Sequence, residues 1–175
     1  VMVATGLPPT TARKVDLLID GGKKYPALIE AIGQAKQHIH CEYYIFLGDK
    51  TGDSILEALI AKAQQGVKVR LLIDAVGSAK LKRAKLQPLI DAGGGVAWFH
   101  PTRWFRFWNK SWMNLRTHRK IVVIDDVIGF CGGINVTDDE DERLSDSAYR
   151  DLHVRVEGNV VRSLQLLFLE DLPKH

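Results

Sequence analysis

At 175 residues, with 46% hydrophobic and 26% charged content, the chain has the makeup of one globular domain with a single core, and a disordered or fibrous protein is excluded. A net charge of +3 is too small for bulk charge to select a partner, so the distribution matters: residues 80–85 and 103–119 are basic, whereas 138–142 are acidic. No apolar run reaches the roughly 18 residues needed to span a bilayer, and no signal peptide is visible.

Residues 1–14, with Pro8-Pro9, read as an irregular lead-in. Val15 to Ile19 is a short strand turned by Gly21-Gly22. Pro26 stands where a helix opens, and Leu28, Ile29, Ile32 and Ala35 follow at helical spacing. His38 to Phe46, rich in aromatic and β-branched residues, is a strand. Asp53 or Ser54 caps a second helix, whose face is Ile55, Leu56, Leu59, Ile60 and Ala63 and whose stop is Gly66. Val67 to Val76 alternates and then turns apolar, as expected of a strand covered on both sides. Ala79 to Ala92 predicts a helix bent or delayed by Pro88, and Val96 to His100 a strand. Further on, Ile121 to Ile124 has the content of a buried strand, 137–147 is a polar acidic loop, and Asp151 to Val156 alternates as a strand. Val160 to Leu172 closes the chain as a helix with Val161, Leu164, Leu167 and Phe168 inward. This alternation predicts an α/β fold over 15–175: one domain, a mostly parallel mixed sheet, and helices on both faces. Cys41 and Cys131 lie in apolar strand-like contexts and read as reduced core residues.

The chemistry concentrates in 115–136, LRTHRKIVVIDDVIGFCGGINV. His118 and Lys120, two apart on an extended chain, point to the same side. Gly132 and Gly133 permit close backbone approach, and the Asn135 amide can reach back toward a ligand. His-x-Lys alone is most often an exposed polar pair. The full spacing, H-x-K-x4-D-x6-G-G-x-N with Asp125 as its acid, is not something a strand core requires.

That spacing resembles the signature of the phospholipase D superfamily. HCEYYIF, GDSILEALIAKAQQGVKVRLLIDAVGS, RTHRKIVVIDD, GFCGGIN and YRDLHVRVEGNVVRSLQLLF resemble its bacterial cardiolipin synthase group, over about Val15 to Leu172. Two positions depart from the group: Tyr149 stands where a Trp is common before Arg-Asp, and the last helix ends Asp171-Leu172 instead of Asp-Trp. The resemblance implies a phospholipase D half-domain in which His118 attacks a phosphodiester and carries it as a phosphohistidine. It gives Lys120 and Asn135 the nonbridging phosphate oxygens, Asp151 the far nitrogen of the His118 ring, and Asp125, Gly132 and Gly133 a structural part in the motif. Neutral imidazole is a competent nucleophile toward phosphorus. No metal and no cofactor are expected. A bland reading of Asp151, a solvated carboxylate at a strand end, stays open, as does one for 138–142, a solvated loop.

Residues 101–112 carry three Trp, two Phe, two Arg and one Lys. With Arg103, Trp104, Phe105, Arg106 and Trp108 together, they are expected to touch lipid headgroups, although the same composition suits stacking on single-stranded nucleic acid. Superfamily chemistry uses two histidines, one as nucleophile and one as acid on the leaving oxygen. This chain has one motif, and His100 and His153 lack its flanking residues. The resemblance implies transfer of a phosphatidyl group from phosphatidylglycerol to make cardiolipin, and the single motif implies that the second comes from a partner half or a second copy. The alternatives are a homodimeric phosphodiesterase or nuclease, and a silent fragment that binds anionic membrane. The expected location is the cytoplasmic side of the cell membrane, peripheral or anchored by segments outside this sequence.

Overall fold

The computed structural model describes residues 10–99 and 118–172. Among them, seven strands join in one sheet: β1 (Lys14–Ile19), β2 (His38–Tyr43), β3 (Lys68–Asp74), β4 (Gly95–Phe99), β5 (Lys120–Ile124), β6 (Ile128–Gly132) and β7 (Leu152–Glu157), in the order β1-β7-β6-β5-β2-β3-β4. Five strands point one way, and β5 and β7 oppose them, so the sheet is mostly parallel by strand direction. By pairing it is not: β2-β3 and β3-β4 are parallel, while β1-β7, β7-β6, β6-β5 and β5-β2 are antiparallel. The reason is the hairpin after β5, where Asp125 and Asp126 take left-handed φ of 52° and 56° and the Val127 N–H donates to the Ile124 carbonyl at 3.0 Å. Such a tight turn can only join antiparallel neighbours. It makes Ile128–Gly132 a strand that the apolar pattern had left inside the motif.

Helices cover both faces, as the sequence predicts. α1 (Asp20–Gln34), α2 (Lys50–Gln64) and the short α3 (Gln87–Asp91) take one face, and α4 (Val160–Asp171) takes the other. Leu28, Ile32, Ile55 and Leu59 pack with Ile39, Cys41, Val122 and Phe130 in the larger core, and Val161 and Leu164 pack with Ile121, Val123 and Val156 in the smaller. Cys41 and Cys131 are free thiols. Two helix starts differ from expectation. α1 begins at Asp20, so Pro26 lies inside it and the glycine pair forms its first turn. α2 begins at Lys50, because the Asp49 carboxylate accepts the Gly52 N–H and Asp138 accepts the Thr51 N–H, capping the helix one turn before Asp53. Pro88 does delay α3 until after a 3-10 turn at Arg83–Leu86.

Candidate active site

The antiparallel half of the sheet decides where the motif goes. His118 stands just before β5, Asn135 just after β6 and Asp151 just before β7, so three segments distant in sequence end at the same edge of the sheet. His118 is exposed, and its ring stacks on Tyr44, which follows β2, with centroids 4.2 Å apart and planes 17° from parallel. Lys120 is buried at 9% exposure. Its Nζ donates to the His118 carbonyl at 2.7 Å and lies 5.5 Å from the Tyr44 ring centroid. Burial lowers the pKa of the Lys120 ammonium, opposed by the carboxylates of Glu140 and Asp151.

Asp151 is fixed close by. Its carboxylate accepts the Leu152 N–H at 2.6 Å, and its backbone N–H donates to Asp20 at 3.0 Å. A Cβ on Gly133 would lie 2.1 Å from the Asp151 carboxylate, so this position admits no side chain. No hydrogen bond joins Asp151 to the His118 ring among the described residues. Asp125 lies at the opposite end of β5, where its carboxylate accepts the N–H groups of Lys36, Gln37 and His38 at 2.7, 2.8 and 2.8 Å. The segment with Arg103, Trp104, Phe105, Arg106 and Trp108, together with His100, lies outside the described residues.

Asn135, 7% exposed, is the most constrained member of the group. Its Oδ1 accepts the Ile45 N–H at 3.1 Å. Glu140 takes its backbone N–H at 2.6 Å and its Nδ2 at 2.7 Å. Behind it, the backbone carbonyl accepts from Lys24 Nζ at 3.0 Å and from the Tyr25 hydroxyl at 3.0 Å. The acidic loop is thus not merely solvated: Asp138 caps α2, Glu140 grips Asn135, Asp141 is buried against Arg143, and Glu142 accepts the Gly22 N–H. Gly21 permits this, since a Cβ there would fall 2.1 Å from the Glu140 carbonyl oxygen. Charge and polarity at 138–142 hid the role from sequence, because a capping carboxylate and a solvated one look alike.

Lys24 and His153 were also missed, and both are buried behind the site. Lys24 Nζ sits 4.5 Å from the Tyr25 ring centroid and 4.7 Å from that of Tyr43. Burial drives its pKa down to about 7 against the pull of Glu140, and burial beside Lys24 and Lys120 keeps the His153 imidazole neutral. A lysine whose folded pKa is depressed binds fewer protons than its unfolded counterpart from about pH 7 upward, so stability rises with pH there. Lys24→Met should flatten that rise, as measured by urea unfolding at pH 7 and pH 8.

The family described as "Cardiolipin synthase, PLD-like domain" matches residues 28–150. The chain is 42% identical over 167 residues to cardiolipin synthase 1 of Bacillus anthracis, covering 95% of this chain and 32% of that protein. It is 40% identical over 163 residues to the major cardiolipin synthase ClsA of Bacillus subtilis, covering 93% of this chain and 33% of that protein. The chain therefore spans about a third of the length of these relatives. Among solved structures, Nuc of Salmonella typhimurium, a phospholipase D family member, shares the fold with a TM-score of 0.64 at 19% identity, over 90% of this chain and 93% of that one. Phosphatidylserine synthase of Haemophilus influenzae does so with a TM-score of 0.69 at 17% identity, over 93% of this chain and 38% of that one.

Proposed function

The chain belongs to the cardiolipin synthase, phospholipase D-like domain family, and on that premise we propose that it is one catalytic half of a phosphatidyltransferase that makes cardiolipin from phosphatidylglycerol. The observation that carries this reading is the pairing of nucleophile and cation: Lys120 Nζ is held 2.7 Å from the His118 carbonyl at the mouth of β5. A phosphodiester in reach of the His118 ring would meet that ammonium and the free Nδ2–H of Asn135.

In the first step a ring nitrogen of His118 attacks phosphorus, and the bond to the glycerol oxygen breaks. That oxygen leaves with a proton supplied by the second motif, because an alkoxide is a poor leaving group. In the second step the hydroxyl of another phosphatidylglycerol attacks, the P–N bond breaks, and its proton passes to the same group. Lys120 and Asn135 stabilise the charge on the nonbridging oxygens, and Asp151 orients the His118 ring. Arg103, Trp104, Phe105, Arg106 and Trp108 hold the domain on an anionic lipid surface. No helix among the described residues is long and apolar enough to cross a membrane.

The test offers phosphatidylglycerol vesicles and single-stranded DNA, in separate incubations, to the chain assembled with its second motif. Cardiolipin and free glycerol are the expected products, falling on the order of 10² to 10³ in rate with Lys120→Met. Cleavage of DNA with no lipid product would refute the lipid reading. A second reading, hydrolysis by two copies that each supply His118, is favoured by the match to Nuc over 93% of that chain, since a unit of this length there forms the whole fold. Water in place of the second lipid, in a particle of twice the chain mass, would establish it.

A further inference from the structure

The Glu140 carboxylate is an anion placed beside a residue that is itself proposed to bind an anion. By charge alone it would weaken phosphate binding. Its geometry gives it another task. Glu140 Oε1 accepts from Asn135 Nδ2 at 2.7 Å, while Glu140 Oε2 accepts the Asn135 backbone N–H at 2.6 Å. Across the amide, Asn135 Oδ1 accepts the Ile45 N–H at 3.1 Å. A flipped carboxamide would set Oδ1 against the carboxylate and the NH2 against the Ile45 N–H, which places two acceptors together and two donors together. Only one orientation is therefore satisfied, and it leaves one Nδ2–H without a partner among the described residues.

The backbone of Asn135 is clamped from behind. Its carbonyl accepts from Lys24 and Tyr25 at 3.0 Å each, so Glu140 as acceptor and Lys24 and Tyr25 as donors hold the backbone at its N–H and its carbonyl. Lys24 comes to the site by long-range packing, from the first turns of α1, whereas Glu140 is local, on a 3-10 turn (Asp138–Glu140) five residues after Asn135 whose own backbone rests against Gly21. A hydrogen bond that orients a donor serves catalysis only through that donor.

We infer that Glu140 is a positioning residue, which locks the Asn135 carboxamide so that its remaining N–H is aimed at the phosphate. The inference rests on the reading of Asn135 as a phosphate ligand.

The experiment is a double-mutant cycle on this chain, with inorganic phosphate as the probe and titration calorimetry as the readout. Asn135→Ala should weaken phosphate binding about tenfold, as expected for one lost hydrogen bond to a charged ligand. Glu140→Gln, which preserves size and removes the charge, should also weaken it in the parent chain. In the Asn135→Ala background the same Glu140→Gln change should leave binding unaltered or slightly tighter, because only the repulsion is then removed. In parallel, the Asn135 side-chain NH2 pair in a proton–nitrogen correlation spectrum should lose its downfield member in Glu140→Gln. Equal effects of Glu140→Gln in both backgrounds, or tighter binding in the parent chain, would overturn the proposal. If Asn135→Ala leaves phosphate binding untouched, the reading of Asn135 fails first and the inference falls with it, an outcome recognisable before Glu140 is altered.

Discussion

His118→Ala should abolish phosphatidyl transfer in the assembled two-motif enzyme, with a loss approaching 10⁶, the scale seen when a nucleophile is removed. Lys120 and Asn135 variants should be milder because they remove charge stabilisation and leave the covalent route open. A labelled phosphatidyl donor separates these effects. Brief incubation followed by quenching should leave a label on the protein that is stable to base and lost in acid, as a P–N bond requires. The label should be absent in His118→Ala and present, though slower to form, in Lys120→Met. A labelled His118→Ala protein would place the nucleophile elsewhere. The exposed ring on Tyr44 gives a second handle: Tyr44 stacks on one face of the imidazole, and the ring nitrogens lie at its edge, away from that contact.

Asp125→Ala should be the most destabilising single change in the motif, by about 2 to 4 kcal/mol in urea unfolding, with little direct effect on phosphate binding. Its carboxylate satisfies three successive backbone N–H groups, of Lys36, Gln37 and His38, where α1 hands over to β2, and a charged acceptor is worth about 1.5 to 3 kcal/mol per bond before solvent screening. Alanine also inherits a φ of 52°, which Asp tolerates better. Burial pushes the carboxyl pKa up, but the three backbone donors and nearby His38 outweigh it and hold it below the ordinary value. A depressed aspartate stabilises the fold above its unfolded pKa of about 3.9 and loses that contribution as pH falls through its folded value. Asp125→Asn, which keeps the shape, should therefore be less stable than the parent at pH 6, and the gap should narrow below pH 4. A constant gap would mean that the charge contributes nothing.

The residues proposed to carry chemistry were legible as a pattern because each is specified by type and the motif sets their spacing. His118, Lys120, Asp125, Gly133 and Asn135 stand at the positions that spacing alone picks out, whereas the division of the expected single core into two clusters, one on each face of the sheet, came from the structure. What escaped was side-chain contact that residue type and local pattern do not announce. Glu140 sits in a run of acids, and only Asn135 opposite it distinguishes it from Asp139. Lys24 follows Lys23 in an amphipathic helix, and nothing local says that one of the pair is fully buried. The helix start at Asp20 is held from outside, by Glu142 on Gly22, whereas that at Lys50 is held both by its local cap, Asp49 on Gly52, and by Asp138 on Thr51, one turn before the Asp53 that the sequence offered.

The sequence by itself determined the family signature, its occurrence as one copy and the α/β composition with helices on both faces, because these follow from residue types at fixed short spacings. Tertiary structure decided the antiparallel half of the sheet, through two left-handed residues at Asp125 and Asp126. By turning β5 back onto β6 and β7, it brought His118, Asn135 and Asp151 to one edge. It also decided that Lys24 of α1 and Glu140, five residues on from Asn135, hold that residue between them, since a buried polar group is tolerated only where the folded chain supplies its partner.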